Sequence, residues 1–146
     1  MAFKSKIKSN QVMSGSFGKV WFNGEKAANV KSFEAKIAIE YEDVDISEQL
    51  GKGRKMMGYE IEGTVVLHKT DSAILKLYGE GLRTGNLPEV SIVSALDDPA
   101  ALGAERVQYT GVTFDEVQLA KFENKAVSEE EVPFKAEGFI LLDLID

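Results

Sequence analysis

The chain has 146 residues and no cysteine, one histidine, one tryptophan and three prolines. Without cysteine there is no disulfide framework, no thiolate metal site and no cysteine nucleophile. A Ser-His-Asp triad would have to use His68, and nothing near it resembles a nucleophile elbow. No stretch approaches the ~20 apolar residues that span a bilayer. The N-terminal Met-Ala-Phe-Lys-Ser-Lys-Ile-Lys has the lysines of a signal peptide but no apolar run behind them. The expectation is a soluble protein, made in the cytoplasm, with no membrane anchor. Gly51-Lys52-Gly53-Arg54-Lys55 lacks the spacing and the hydroxyl of a phosphate-binding loop. Asp43-Val-Asp45-Ile-Ser47 begins like a calcium loop. It then carries Glu48 and Arg54 where glycine and glutamate are required. Carboxylate pairs such as Glu60/Glu62 or Asp97/Asp98 fall on wet faces or turns, where nothing splits their pKa values for acid–base work. The chain does not read as an enzyme, and no catalytic residue, cofactor or metal ligand is expected.

What the sequence does contain is alternation. Over residues 33–42, Phe33, Ala35, Ile37, Ile39 and Tyr41 fall on one side, and Glu34, Lys36, Ala38, Glu40 and Glu42 on the other. Over residues 59–68, Tyr59, Ile61, Val65 and Leu67 oppose Glu60, Glu62, Thr64 and His68, with Val66 the apolar exception. A period of two is the signature of a strand with one buried and one solvated face. Paired, the two segments make a sheet with a greasy side and an acidic side. Lys36 is the one cation within the acidic set.

The charge is uneven. The net value is −7, yet residues 1–31 hold six lysines against Glu25, while residues 32–146 hold 11 basic and 23 acidic residues. A basic N-terminal arm on an acidic body suits self-complementary, head-to-tail contacts between copies. The acidic whole, without a recognition motif, argues against duplex binding.

At this length one domain over 1–146 is expected. Residues 1–17 read as a flexible basic arm, with Ser14-Gly15-Ser16 as its joint. Asn23-Gly24 marks a hairpin. Residues 43–58, with Gly51, Gly53, Gly58, a basic cluster and Met56-Met57, read as a long loop. One helix is predicted, capped by Asp71, lined by Ile74, Leu77, Tyr78 and Leu82, and ended by Gly81 or Gly85. Strands are expected from Pro88 through Val93, over 105–114 and over 115–123, with a bulge near Gly111. A last strand alternates over Val132, Phe134 and Ala136. It then turns wholly apolar at Phe139–Leu142, so it is buried on both faces or meets another subunit. The fold class is mainly β with one α-helix, an antiparallel β-sandwich or open barrel flanked by the helix.

The C-terminal third carries Tyr109-Thr-Gly-Val-Thr-Phe-Asp-Glu-Val117, Lys121-Phe-Glu-Asn124, Ser128-Glu-Glu-Glu-Val-Pro-Phe134, Glu137-Gly-Phe139 and Leu141-Leu142-Asp143. These segments resemble the tail tube proteins of contractile-tailed (myovirus-type) phages. The Asn-Gly hairpin, the Gly-rich loop and the single helix follow in the same order.

That resemblance implies a fold similar to phage tail tube and type VI secretion tube proteins. It further implies hexameric rings stacked into a hollow tube, through which DNA passes without specific binding. The implied partners are further copies of the chain, a tail sheath protein, and baseplate or tail-initiator and tape-measure proteins. The implied location is the virion tail. Lumen-facing candidates are Glu34, Glu40, Glu42, Glu60 and Glu62. Inter-ring candidates are Lys4, Lys6, Lys8, Lys52, Arg54, Lys55, Met56 and Met57. Rival readings are a type VI secretion or bacteriocin tube, and a β-sandwich module binding a carbohydrate or peptide. The module predicts a concave pocket with exposed aromatics.

Overall fold

The computed structural model describes residues 3–146; residues 1 and 2 of the expected arm lie outside the described part. Eight strands and one helix follow in chain order: β1 (Gly18–Phe22), β2 (Glu25–Lys26), β3 (Val30–Val44), β4 (Gly53–His68), α1 (Ala73–Thr84), β5 (Val90–Asp97), β6 (Ala104–Phe114), β7 (Glu129–Ala136) and β8 (Gly138–Asp143). Every pairing is antiparallel, in the order β2-β1-β5-β6-β7-β4-β3, with β8 also on β6. This is a mainly antiparallel β fold with one helix.

The sheet curls so that β3 and β4 face β1, β5 and β6 across a shared core. Val20, Ile61, Val65, Ile92, Val112, Val132 and Phe134 are all buried there. The Phe33 ring lies 5.8 Å from both Phe134 and Tyr109, which closes the two layers on each other. Burying each such side chain contributes about 2 kcal/mol.

Helix α1 covers one side of this core. Asp71 Oδ1 accepts the Ala73 N–H (3.2 Å), although Ser72 is the residue at the cap position. Ile74 and Tyr78 are buried, with the Tyr78 ring 4.8 Å from Phe114, whereas Leu82 faces solvent. Gly85, at φ 83°, ends the helix in the left-handed conformation that glycine adopts without penalty.

The bulge near Gly111 decides the shape of the molecule. Val90 pairs Val112 and Ile92 pairs Tyr109, so Ser91 faces both Thr110 and Gly111, with Gly111 at φ 61°. Opposite it the last strand bends. β7 pairs the end of β6 (Phe114↔Phe134), Glu137 N–H donates to Thr110 O (3.0 Å), and β8 continues along β6 to Arg106↔Asp143. β4 follows β7 only as far as Ile61↔Ala136. Beyond that point the β3–β4 hairpin runs on alone for seven residues, roughly 24 Å.

Several expectations need correction. The break over 43–58 is much shorter, because β3 runs to Val44 and β4 starts at Gly53, leaving only 45–52 as a loop. Register sets Glu42 opposite Lys55 and Asp43 opposite Arg54, cross-strand neighbours of opposite charge that favour this pairing. A bulge between Glu40↔Gly58 and Tyr41↔Met56 shifts the alternation and hides the continuing strand. The expected strand over 115–123 is loop. After Asp115 N–H donates to Pro133 O (2.8 Å), the chain leaves the sheet. Ser14-Gly15-Ser16 is no free joint. Ser14 Oγ accepts the Ser16 N–H (3.3 Å) at the head of a 3-10 turn, and Ser14 N–H donates to the buried Asp98 carboxylate (3.0 Å). β8 is not buried on both faces: Phe139, Ile140, Leu141 and Leu142 are all exposed.

Candidate assembly surfaces

The polar face of the hairpin assembles all five predicted glutamates. Cross-strand register sets Glu34 opposite Thr64, Glu62 opposite Lys36, Glu60 opposite Ala38, Glu40 opposite Gly58 and Glu42 opposite Lys55. Lys36 shares this face, with its Nζ 3.8 Å from Glu62 Oε1. Sequence spacing missed a further cation. Lys135 on β7 lies opposite Glu62, and its Nζ is 2.8 Å from Glu60 Oε1. The Glu60 carboxylate, by hydrogen bond and charge, and then Asp115 push the Lys135 pKa up. At the far end Lys31 meets Glu129 (2.6 Å), and that hydrogen bond lowers the Glu129 pKa. The face is therefore a ladder of mixed charge, acidic in balance. Each ion pair is exposed, a setting in which such pairs add at most about 1 kcal/mol.

The opposite face of the projecting hairpin is apolar and uncovered. Ile37, Ile39, Tyr41, Met56 and Tyr59 are between 42% and 57% exposed. Tyr59 touches Phe139 of β8 edge-on, with ring centroids 6.1 Å apart. The apolar stripe thus continues onto β8, whose outer edge is unpaired in the sheet order.

The expected inter-ring residues divide into two groups. Lys4, Lys6 and Lys8 are exposed on the arm, just before the 3-10 turn Ser9–Gln11. Lys52 is on the hairpin loop, while Arg54, Lys55, Met56 and Met57 belong to β4 and are exposed. The Arg54 guanidinium lies 3.9 Å from the centre of the Tyr41 ring, a cation–π contact that stiffens the hairpin near its tip.

A groove of about 540 Å³ runs between β3 and the β1–β5 layer, lined in part by Gly18, Val20, Phe33, Ala95 and Tyr109. Its aromatics, Phe33 and Tyr109, are packed on each other rather than displayed. It offers no aromatic platform for a sugar or peptide. His68 is exposed, and its backbone exchanges hydrogen bonds with Asn29. Among the described residues no cluster of three or more His, Cys, Asp or Glu is placed to hold a metal, and no helix is long and apolar enough to cross a membrane.

The same curled antiparallel fold with a flanking helix occurs in contractile assemblies. A chain in the cryo-EM structure of an extracellular contractile injection system, the PVC sheath–tube complex in its extended state, superposes with a TM-score of 0.73. The match covers 95% of this chain and 100% of that one at 9% identity. A chain of the anti-feeding prophage cap, the AFP tube-terminating cap, gives a TM-score of 0.70 over 99% and 95% of the two chains, also at 9% identity. The sequence assigns the family directly. The chain belongs to the phage tail tube protein family, whose model matches residues 5–143. Protein XkdM of the phage-like element PBSX of Bacillus subtilis (strain 168) is 31% identical over 135 residues, spanning 91% of this chain and 92% of that protein. The family and its structural neighbours are structural tube proteins, not enzymes.

Proposed function

We propose that copies of this chain close into hexameric rings, and that the rings stack into the inner tube of a contractile tail, a conduit for DNA in the virion. The observation that carries this reading is the unfinished sheet. A two-stranded ribbon with an exposed apolar face is marginal in water, and here that face runs on into a β8 exposed on both sides. Pairing of sheet edges between copies covers both and hides open strand edges. A sheath partner is supported by the fold shared with a chain of a sheath–tube complex. Baseplate or tail-initiator and tape-measure proteins complete the partners such a tube requires. A tube of an injection system is the second reading, favoured by the same structural neighbours.

In the tube, Glu34, Glu40, Glu42, Glu60 and Glu62 line the channel, where an acidic wall repels phosphates and keeps DNA from sticking. Lys4, Lys6, Lys8, Lys52, Arg54, Lys55, Met56 and Met57 contribute contacts between rings. Glu60→Lys with Glu62→Lys tests the wall. It removes the partners of Lys135 and Lys36 and leaves a cluster of cations on an exposed surface. Tubes should still assemble, and DNA delivery should fall by at least tenfold in an infectivity or transduction assay. Delivery at the unmodified level would refute the lumen assignment.

A further inference from the structure

The Asn23-Gly24 turn joins β1 to β2 and takes no part in the surfaces above. It is the one place in the sequence where an asparagine precedes a glycine; Asn10, Asn29, Asn86 and Asn124 precede Gln11, Val30, Leu87 and Lys125. Both turn residues have positive φ, 50° at Asn23 and 86° at Gly24, as a tight two-residue hairpin requires. Both are exposed, and a Cβ at Gly24 would meet nothing within 4 Å, so the outer side of the turn is open to water.

Asparagine is a thermolabile residue, and before glycine it has a direct route to reaction. The Gly24 nitrogen can attack Cγ of the Asn23 side chain, because glycine has no side chain to obstruct the approach. An N–Cγ bond forms, the Cγ–Nδ2 bond breaks, and ammonia leaves with the proton that the Gly24 nitrogen gives up. Water then opens the five-membered imide. Addition at Cγ gives aspartate. Addition at the Asn23 backbone carbonyl leaves Gly24 attached to Cγ and gives isoaspartate.

In the folded chain the Asn23 side chain is engaged elsewhere. Asn23 N–H donates to Ser91 O (2.8 Å), and Asn23 Oδ1 accepts the Ser91 N–H (2.8 Å). The pair extends the β1–β5 ladder one step past Phe22↔Ile92, with a side-chain oxygen standing where a strand carbonyl would. Turning Cγ onto the Gly24 nitrogen breaks the second of these bonds. The clamp closes a small element at the margin of the sheet: β2 is two residues long, pairs through Trp21↔Lys26 and Phe22↔Glu25, and ends the strand order. Such margins open locally at a free energy well below that of global unfolding.

We propose that Asn23 is a site of spontaneous deamidation and that its pairing with Ser91 sets the rate. While the pair holds, the amide survives; each opening of this end of β1 exposes it to attack. The two products differ in consequence. Aspartate keeps an oxygen for the Ser91 N–H and adds one negative charge. Isoaspartate adds a methylene to the backbone of a two-residue turn and disturbs the register of Phe22, whose ring packs edge-on against Phe114 (6.5 Å).

The test uses the unmodified protein, incubated in mildly alkaline buffer both folded and in denaturant. Trypsin cuts after Lys19 and Lys26 and releases residues 20–26. The mass of that peptide, with enzymatic methylation of isoaspartate, reports both products. The unfolded chain should convert at least tenfold faster than the folded one, and Gly24→Ala should slow the unfolded chain at least tenfold. Below the unfolding transition, added urea should raise the folded rate in step with hydrogen exchange at the Ser91 amide. A peptide that stays unconverted in the unfolded chain, or converts as fast with Gly24→Ala, overturns the site. A folded rate that equals the unfolded one, or stays flat while the Ser91 amide opens, overturns the clamp.

Discussion

Gly63 has the least room of any glycine in the sheet. A Cβ there would meet the Glu34 carbonyl oxygen and the Phe134 ring, the latter at 2.6 Å, because β3 and the stacked Phe33–Phe134 pair close over it. One neighbour is strand backbone and the other a fully buried ring, so the clash cannot relax cheaply. Gly63→Ala should cost about 1–3 kcal/mol by overpacking, lowering Tm by several degrees in a calorimetric scan. Gly51→Ala is the control. Nothing lies within 4 Å of a Cβ at that position, so its Tm should not move. Equal stability of the two variants would contradict the packing described for β3 and β4. Other residues show where sequence reading stops. The five glutamates of the polar face were legible because a strand's period is fixed by its pleat. Lys135 was not, because it reaches Glu60 only through the β4–β7 register, which depends on turns and bulges far from either residue.

At the scale of elements, the long hairpin matters most. Its alternation was readable over Phe33–Tyr41 and Tyr59–Leu67, and its outer third was not. The bulge at Met57 breaks the period, and glycines at 51, 53 and 58 mimic a loop. The 115–123 segment misled in the other direction: Val117 and Leu119 alternate as a strand would, but the chain leaves the sheet after Asp115. The helix and the Gly111 bulge were recovered from local signals alone, a capping carboxylate and a shift of apolar phase. The basic cluster on the hairpin gives a prediction at this scale. Reversing Lys52, Arg54 and Lys55 to glutamate removes the Arg54–Tyr41 contact, worth about 0.5–1 kcal/mol at an exposed site, and sets like charges opposite Glu42 and Asp43. The core is untouched, so circular dichroism should report the same fold, and electron microscopy should show rings that no longer stack. Full-length tubes from this variant would remove the hairpin's basic cluster from the inter-ring contact.

For the whole molecule, three properties converge. The first 31 residues are basic and the rest is acidic. The core is complete at the helix end, whereas the sheet is left open along the hairpin and β8. The arm is pinned by Ser14 to the buried Asp98, so its lysines leave the body from a fixed point. Each property is a cost or an irregularity in a lone subunit and a contact in the proposed assembly. Self-association into rings accounts for all three. The direct measurement is negative-stain electron microscopy of the purified protein across a range of concentration and salt. End views with sixfold symmetry and side views of stacked rods are the expected result. A protein that stays monomeric throughout, even with a tail initiator present, would rule out ring assembly.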